Sequence, residues 1–305
     1  MKYFIGIDGG GTKSDCIITD ENYNQLYSLK VGPLNLLSSP PSESSRTILQ
    51  LINSCLSKLK ITLAHLDCVG IGAAGAGRIE ESEKLEVNLK ALLPHSINLK
   101  VTSDAEAALE GAFDGKPGCI LISGTGSIIF GKDQNGIIHR CGGFGKILGD
   151  EGSGYMLGKK GLVAAAKEFD GRAEKSLITG LLNDKYQIQS GQDIINAVYK
   201  NDLDIAGVAP LVLAAAGNND KVALRIIDEE TEELLNLISC MIKKLKKENI
   251  EICFTGSLIC TTNVFSITLK KKLAALFKLI KIKEPEYPPA IGAVFIAKKK
   301  MKGML

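Results

Sequence analysis

The sequence predicts an α/β protein made of two duplicated domains, and two observations carry that prediction. The first is a glycine turn between apolar strands that occurs twice. One copy reads Ile5-Gly6-Ile7-Asp8-Gly9-Gly10-Gly11-Thr12-Lys13, the other Ile120-Leu121-Ile122-Ser123-Gly124-Thr125-Gly126-Ser127. Each leads into a second apolar strand (Cys16-Ile17-Ile18; Ile128-Ile129-Phe130) and then a polar turn (Asp20-Glu21-Asn22; Asp133-Gln134-Asn135-Gly136). The second observation is that the order of strands and helices restarts after residue 118. A unit repeated in this way suggests one nucleotide held between two related domains.

Taken in order, residues 3–31 read as three strands with short turns. Ile48, Leu51, Ile52, Cys55, Leu56 and Leu59 then fall at helical spacing, just after Pro40-Pro41. A buried strand at 68–72, a helix at 78–93, a strand at 99–102 and a short alanine-rich helix at 105–113 follow. This βββαβαβα order implies a mixed sheet with helices on both faces. From Cys119 the pattern gives three more strands, a glycine-rich stretch and helices from about Gly154 to Met241. A late strand at 251–255 precedes Gly256-Ser257, and Pro288-Pro289 opens a terminal helix. The boundary is expected at the tight crossover Asp114-Gly115-Lys116-Pro117-Gly118. It gives domains 1–115 and 116–289, with the terminal helix at about 290–305 packing back on the first.

The bulk numbers narrow the class. A chain of 305 residues can bury two substantial cores, and 45% apolar with 23% charged content is ordinary for a globular protein. A net charge of +3 gives no footprint for nucleic acid. Lys243, Lys244, Lys246 and Lys247 close a helix whose earlier part is acidic (Asp228, Glu229, Glu230, Glu232, Glu233). That layout complements a helix dipole and reads as a solvated face. Eight cysteines form no CxxC pair and mostly sit in apolar runs, and the three histidines are scattered. This excludes a zinc site and predicts buried free thiols, as in a reducing cytoplasm. No signal peptide or membrane span is evident in the sequence.

One match points elsewhere. Gly70-Ile71-Gly72-Ala73-Ala74-Gly75 fits GxGxxG between a strand and a helix, the dinucleotide fingerprint. It lies late in its domain, and no single acid ends a strand about 20 residues on, as that fingerprint requires. The small residues at 73–77 are read instead as letting backbone approach a small ligand.

The chemistry is read from turns and strand ends. Glycine turns let backbone N–H groups crowd a phosphate, and the hydroxyls of Thr12, Thr125 and Ser127 are further donors. Asp8, Asp104 and Asp150 are carboxylates at strand ends and glycine turns. Phosphoryl transfer needs phosphate donors, Mg2+ and a carboxylate to position or deprotonate the attacking hydroxyl. Each feature alone has a plainer reading: a hairpin turn for either glycine loop, a helix cap for Ser103 or Asp104, and another cap for Asp150.

Together, Asp8-Gly-Gly-Gly-Thr12, Thr102-Ser-Asp104-Ala105, Ser123-Gly-Thr-Gly-Ser127, Gly142-Gly-Phe-Gly145, Gly149-Asp-Glu-Gly-Ser153 and Thr255-Gly-Ser257 resemble the BadF/BadG/BcrA/BcrD-type ATPases over nearly the whole chain. Within that family the motifs are most similar to those of N-acetylglucosamine kinases. The resemblance implies two actin-like, ribonuclease H-like domains around a central cleft. It implies ATP-dependent phosphorylation of an amino sugar, N-acetylglucosamine at its 6-hydroxyl, by a cytoplasmic homodimer with no nucleic-acid or membrane partner. By the same resemblance Asp8 organises Mg2+. Gly10, Gly11, Thr12, Gly124, Thr125 and Ser127 hold the phosphates, and Gly256 and Ser257 lie near the adenosine. Asn35, Asp104, Gly143, Phe144, Gly145 and Asp150 contact the sugar, and Asp104 is its general base. Phe144 stands where such kinases often have Trp, and 73–75 lacks a hydroxyl found in some relatives. Glucosamine and N-acetylmuramic acid therefore remain alternative substrates. A dehydratase-activating ATPase is the alternative of another class, disfavoured because the glycine turns carry no cysteine for an Fe–S cluster.

Overall fold

In the computed structural model the described residues are 2–10, 13–32, 34, 40–76 and 79–301. The chain divides into two compact units. One comprises Met1–Gly118, Gln134–Gly136 and Glu284–Leu305; the other comprises Cys119–Asp133 and Ile137–Lys283.

The first unit contains β1 (Tyr3–Gly9), β2 (Ser14–Thr19), β3 (Gln25–Val31), α1 (Pro41–Lys58), β4 (Leu66–Ala73), α2 (Ile79–Leu92), β5 (Asn98–Ser103) and α3 (Asp104–Ala112). Its sheet runs in the order β3-β2-β1-β4-β5. The β1–β2 and β2–β3 pairs are antiparallel, whereas β1–β4 and β4–β5 are parallel. Proline at its first turn starts α1, and Glu43 and Lys58 suit its dipole. Its buried Ile48, Ile52 and Cys55 meet Ile5, Ile7 and Ile71 of the sheet in one apolar cluster. Each fully buried isoleucine contributes roughly 2 kcal/mol of transfer free energy.

The second unit contains β6 (Gly118–Ser123), β7 (Ser127–Lys132), β8 (Ile138–Gly142), α4 (Gly154–Phe169), α5 (Leu177–Tyr186), α6 (Gly191–Tyr199), α7 (Ala209–Gly217), α8 (Lys221–Leu245), β9 (Glu251–Thr255), α9 (Ser257–Cys260), α10 (Val264–Leu276) and β10 (Lys281–Lys283). Its sheet runs β10-β9-β6-β7-β8. Counted from the first strand of each unit, this is the order of the first sheet repeated. The terminal helix α11 (Pro289–Met301) belongs to the first unit.

Glycines let α11 lie flush on the first sheet. A Cβ on Gly6 would sit 2.0 Å from the Ala290 carbonyl oxygen, and one on Gly70 2.0 Å from that of Ala293. On the helix itself, a Cβ on Gly292 would sit 1.9 Å from the Ala107 oxygen of α3. Within the GxGxxG match, Gly70 and Gly72 are strand residues of β4. Gly72 makes room for Ala107, whose Cβ would be 2.5 Å from a Cβ placed there. These glycines serve helix packing and form no dinucleotide loop.

Candidate functional site

Two sets of site residues are described, one in each unit. In the first, Asp8 and Gly9 end β1, and the chain turns into β2 so that Asp8 pairs with Asp15. The Gly10 amide donates to the Lys13 carbonyl at 3.1 Å, and a Cβ on Gly10 would lie 2.7 Å from that oxygen. A side chain at position 10 would therefore displace the Lys13 carbonyl. Gly11, Thr12 and Asn35 lie outside the described residues.

Asp104 is the first residue of α3. The cap is Ser103, whose hydroxyl accepts from the Glu106 amide at 3.1 Å. Asp104 Oδ1 accepts from the Ala105 amide at 2.9 Å, and besides its own backbone amide no other described residue donates to the carboxylate. Of the two residues with a capping reading, Ser103 does the capping, and one Asp104 oxygen stays available. Thr102 Oγ1 bonds Glu106 Oε2, tying β5 to the helix start.

The electrostatics of this corner are unfavourable to charge. Burial, then the negative charges of Asp104 and Asp15, push the Asp8 carboxyl up to about 6, against a smaller downward pull from Lys13. Burial likewise raises Asp104, opposed by backbone hydrogen bonds. Asp15 Oδ1 is buried without a hydrogen-bond partner. A desolvated carboxylate beside two others and an orphaned oxygen fit a divalent cation. Among the described residues, no group of three or more His, Cys, Asp or Glu side chains could hold a metal ion between them, so a cation here would rest on one or two carboxylates with water or phosphate as its other ligands.

In the second unit the turn Gly124-Thr125-Gly126 joins β6 to β7, closed by the Gly124 amide donating to Gly126 O at 3.0 Å. The carbonyls of Gly124 and Thr125 accept from Gly154 and Tyr155, so the turn satisfies the free amides that begin α4. Thr125 is exposed, and its hydroxyl has no partner among the described residues. Ser127 is buried and gives its hydroxyl to the Glu151 carbonyl, so it braces the neighbouring loop. Gly256 has φ +100°, and a Cβ there would lie 2.3 Å from Ser123 O. It carries β9 into α9 beside the turn. A cavity of about 260 Å³ opens here, lined by Gly124, Thr125, Ser257, Pro210, Leu213 and Asn263 among others.

Two further loops belong to this unit. Gly142, Gly143 and Gly145 all have positive φ, and Phe144 between them is 67% exposed. Arg140 holds this loop: its guanidinium donates to Gly142 O and Gly143 O at 3.1 Å each and stacks 5.2 Å from the Phe144 ring centre. Asp150 adopts φ 61°, a left-handed conformation that aspartate tolerates, and its carboxylate lies against Gly126. Asp150 is not the cap of α4; Ser153 is, accepting from the Met156 amide at 3.3 Å.

The sequence missed one contributor. Glu230, read as part of a solvated acidic face, is 1% exposed, and its carboxylate accepts from the Gly152 amide at 2.6 Å. Its spacing to Ile226, Ile227, Leu234 and Ile238, all buried, was the available signal.

A sheet order used twice, with a glycine turn after the first strand of each copy, is the architecture of the actin-like ATPase fold. The chain belongs to the BadF/BadG/BcrA/BcrD ATPase family, whose model matches residues 5–297, and membership implies use of ATP. It is 36% identical over 303 residues to the N-acetylmuramic acid/N-acetylglucosamine kinase of Clostridium acetobutylicum, covering 98% of this chain and 99% of that protein. It is 31% identical over 313 residues to the N-acetyl-D-glucosamine kinase of Dictyostelium discoideum, covering 97% and 98%. A solved structure from Chromobacterium violaceum, described as a proposed N-acetylglucosamine kinase, superposes with a TM-score of 0.76 at 22% identity. That match covers 97% of this chain and 99% of the other and speaks to fold. Among the described residues no helix is long and apolar enough to cross a membrane.

Proposed function

We propose that this protein transfers the γ-phosphoryl group of ATP to an amino sugar, with N-acetylglucosamine as acceptor at its 6-hydroxyl. Asp104 carries the reading. It is a carboxylate at the junction of β5 and α3 with one oxygen uncommitted and a proton affinity raised by burial. A base whose pKa is moved toward the working pH accepts a hydroxyl proton more readily. The two curated relatives support the substrate class, since both are named as kinases of N-acetylated amino sugars.

The roles of the other residues follow. Thr125 and the amides around Gly124 bind phosphate, and Gly10, Gly11 and Thr12 do so in the first unit. The cavity beside Gly256 and Ser257 takes the nucleoside. Gly143, Phe144, Gly145, Asp150 and Asn35 contact the sugar, and Ser127 orients the Asp150 loop through the Glu151 carbonyl. Asp8 holds Mg2+, directly or through water, with the charge of Asp104 and the bare oxygen of Asp15 nearby. When bound, that cation neutralises charge on the transferred phosphoryl group. Asp104 accepts the 6-hydroxyl proton as the oxygen attacks.

N-acetylmuramic acid is the second acceptor to consider, because the Clostridium acetobutylicum relative is named for both sugars. The deciding experiment is an ADP-release screen over N-acetylglucosamine, N-acetylmuramic acid, glucosamine, N-acetylmannosamine and glucose. Turnover stimulated by the N-acetylated sugars is expected. Equal ATP turnover with and without every sugar would remove the kinase reading. A homodimeric state rests on the family resemblance and is tested by light scattering of the purified protein.

A further inference from the structure

We propose that Glu230, on the helix α8, is a positioning residue for the loop that carries Asp150. This rests on the amino-sugar kinase reading of that loop.

Glu230 is the most buried carboxylate among the described residues, at 1% exposure. Its two oxygens have separate tasks. Oε2 accepts from the Gly152 amide at 2.6 Å, across 78 residues of sequence. Oε1 meets the Lys160 ammonium of α4 at 2.7 Å, and Lys160 also reaches Glu229 at 2.7 Å. The opposite face of the same residue is held too, since the Ser123 hydroxyl donates to Gly152 O at 2.7 Å. Gly152 is thus gripped at its amide by α8 and at its carbonyl by the end of β6. Its own conformation leaves little freedom. It has φ +76°, and a Cβ would lie 2.4 Å from Leu234, one turn beyond Glu230 on α8.

Asp150 lies two residues before this anchor, in the left-handed conformation, with Gly126 behind its carboxylate. Ser153, which caps α4, lies one residue after it. Fixing Gly152 therefore fixes both the direction of the Asp150 carboxylate and the start of α4. Stability alone is a poor reason for such an arrangement. A buried ion pair is often no more stabilising than apolar side chains of similar volume. The neighbours Ile226, Ile227 and Leu234 show that an apolar residue suits this face of α8. A carboxylate, unlike leucine, gives the Gly152 amide a charged and directional acceptor.

The same face of α8 continues along the other loop. Leu237 lies 3.0 Å from where a Gly142 Cβ would be, and the Lys244 ammonium donates to Arg140 O at 2.6 Å. Arg140 in turn holds Gly142 and Gly143. The helix is a common support for both sugar loops, and Glu230 is its polar anchor.

The test combines hydrogen exchange with kinetics on the full chain. Glu230→Gln keeps the shape of the side chain but sets an amide against the Lys160 ammonium. It is expected to speed exchange in segment 149–154 and to lower kcat/KM for the sugar by up to about 10²-fold, the scale of a small misplacement, with most of the loss in KM. ADP affinity, measured by calorimetry, is expected to change far less. The double variant Lys160→Met/Glu230→Gln removes the opposed ammonium and is expected to recover part of the loss. Wild-type exchange in 149–154, or a lowered Tm with that exchange unchanged, would overturn the proposal. If Glu230→Gln does not fold, Lys160→Met is expected to loosen the same segment, and unchanged exchange there is equally decisive against it. The exchange experiment needs no substrate. A wild-type protein inactive on all amino sugars would count against the kinase reading and would leave the exchange result to judge the anchor.

Discussion

Gly126 and Asp150 touch across the second glycine turn: a Cβ placed on Gly126 would lie 2.9 Å from Asp150 Oδ2. The turn proposed for phosphate and the carboxylate proposed for sugar are therefore one packed unit. Gly126→Ala is expected to push Asp150 aside, raising the sugar KM about tenfold or more while Tm falls only a few degrees. Steady-state kinetics and a thermal melt decide it, and an unchanged sugar KM would separate Asp150 from the sugar.

Asp104→Asn keeps the hydrogen bond from the Ala105 amide within reach of the new amide oxygen but abolishes proton acceptance. It is expected to lower kcat by about 10²–10⁴ while sugar and nucleotide affinities stay within about tenfold. Near-wild-type turnover would end its role as base.

Gly124 has space for a side chain: a Cβ placed there would lie 3.9 Å from Gly256 and Ser257, with no positive φ to strain. Gly124→Val should fold, and its methyl groups would intrude on the cavity of about 260 Å³. Calorimetry is expected to show nucleotide affinity reduced at least about tenfold, roughly 1.4 kcal/mol. Full affinity in this variant would place the nucleotide elsewhere.

Asp8 gives a pH dependence with a definite sign. It ionises near 3.8 in the unfolded chain and at about 6 in the fold. Between those values the native state keeps a proton that the unfolded chain has lost. Its contribution to stability is therefore full below the lower value and lost as pH rises through the higher one. In EDTA, Asp8→Asn is expected to be more stable than wild type at pH 7.5, by roughly 1–3 kcal/mol. The difference should close toward pH 4. Urea unfolding at both pH values measures it, and no gain at pH 7.5 would mean that Asp8 is not charged against its surroundings. The same penalty predicts that Mg2+ stabilises wild type more than the variant.

Much of this protein is written locally in its sequence. Strand pairs closed by glycine turns, the amphipathic spacing of Ile48, Ile52 and Cys55, and proline at the start of α1 fix element type without reference to the rest of the chain. The duplication is legible because each copy must solve the same turn with the same small residues. What the tertiary structure decided depends on elements far apart in sequence. Only the packed fold distinguishes Gly70 and Gly72 as floor for α11 and α3 from a dinucleotide loop, because the helices they admit come from elsewhere in the chain. Capping by Ser103 and Ser153 leaves Asp104 and Asp150 out of the cap position, and residues within three positions of each other with similar capping chemistry are told apart only by the folded backbone. Glu230 looks like one more acid in an acidic run until α8 is laid against the loop at Gly152. Burial is a property of what a residue faces, and a run of charges says nothing of which member faces inward.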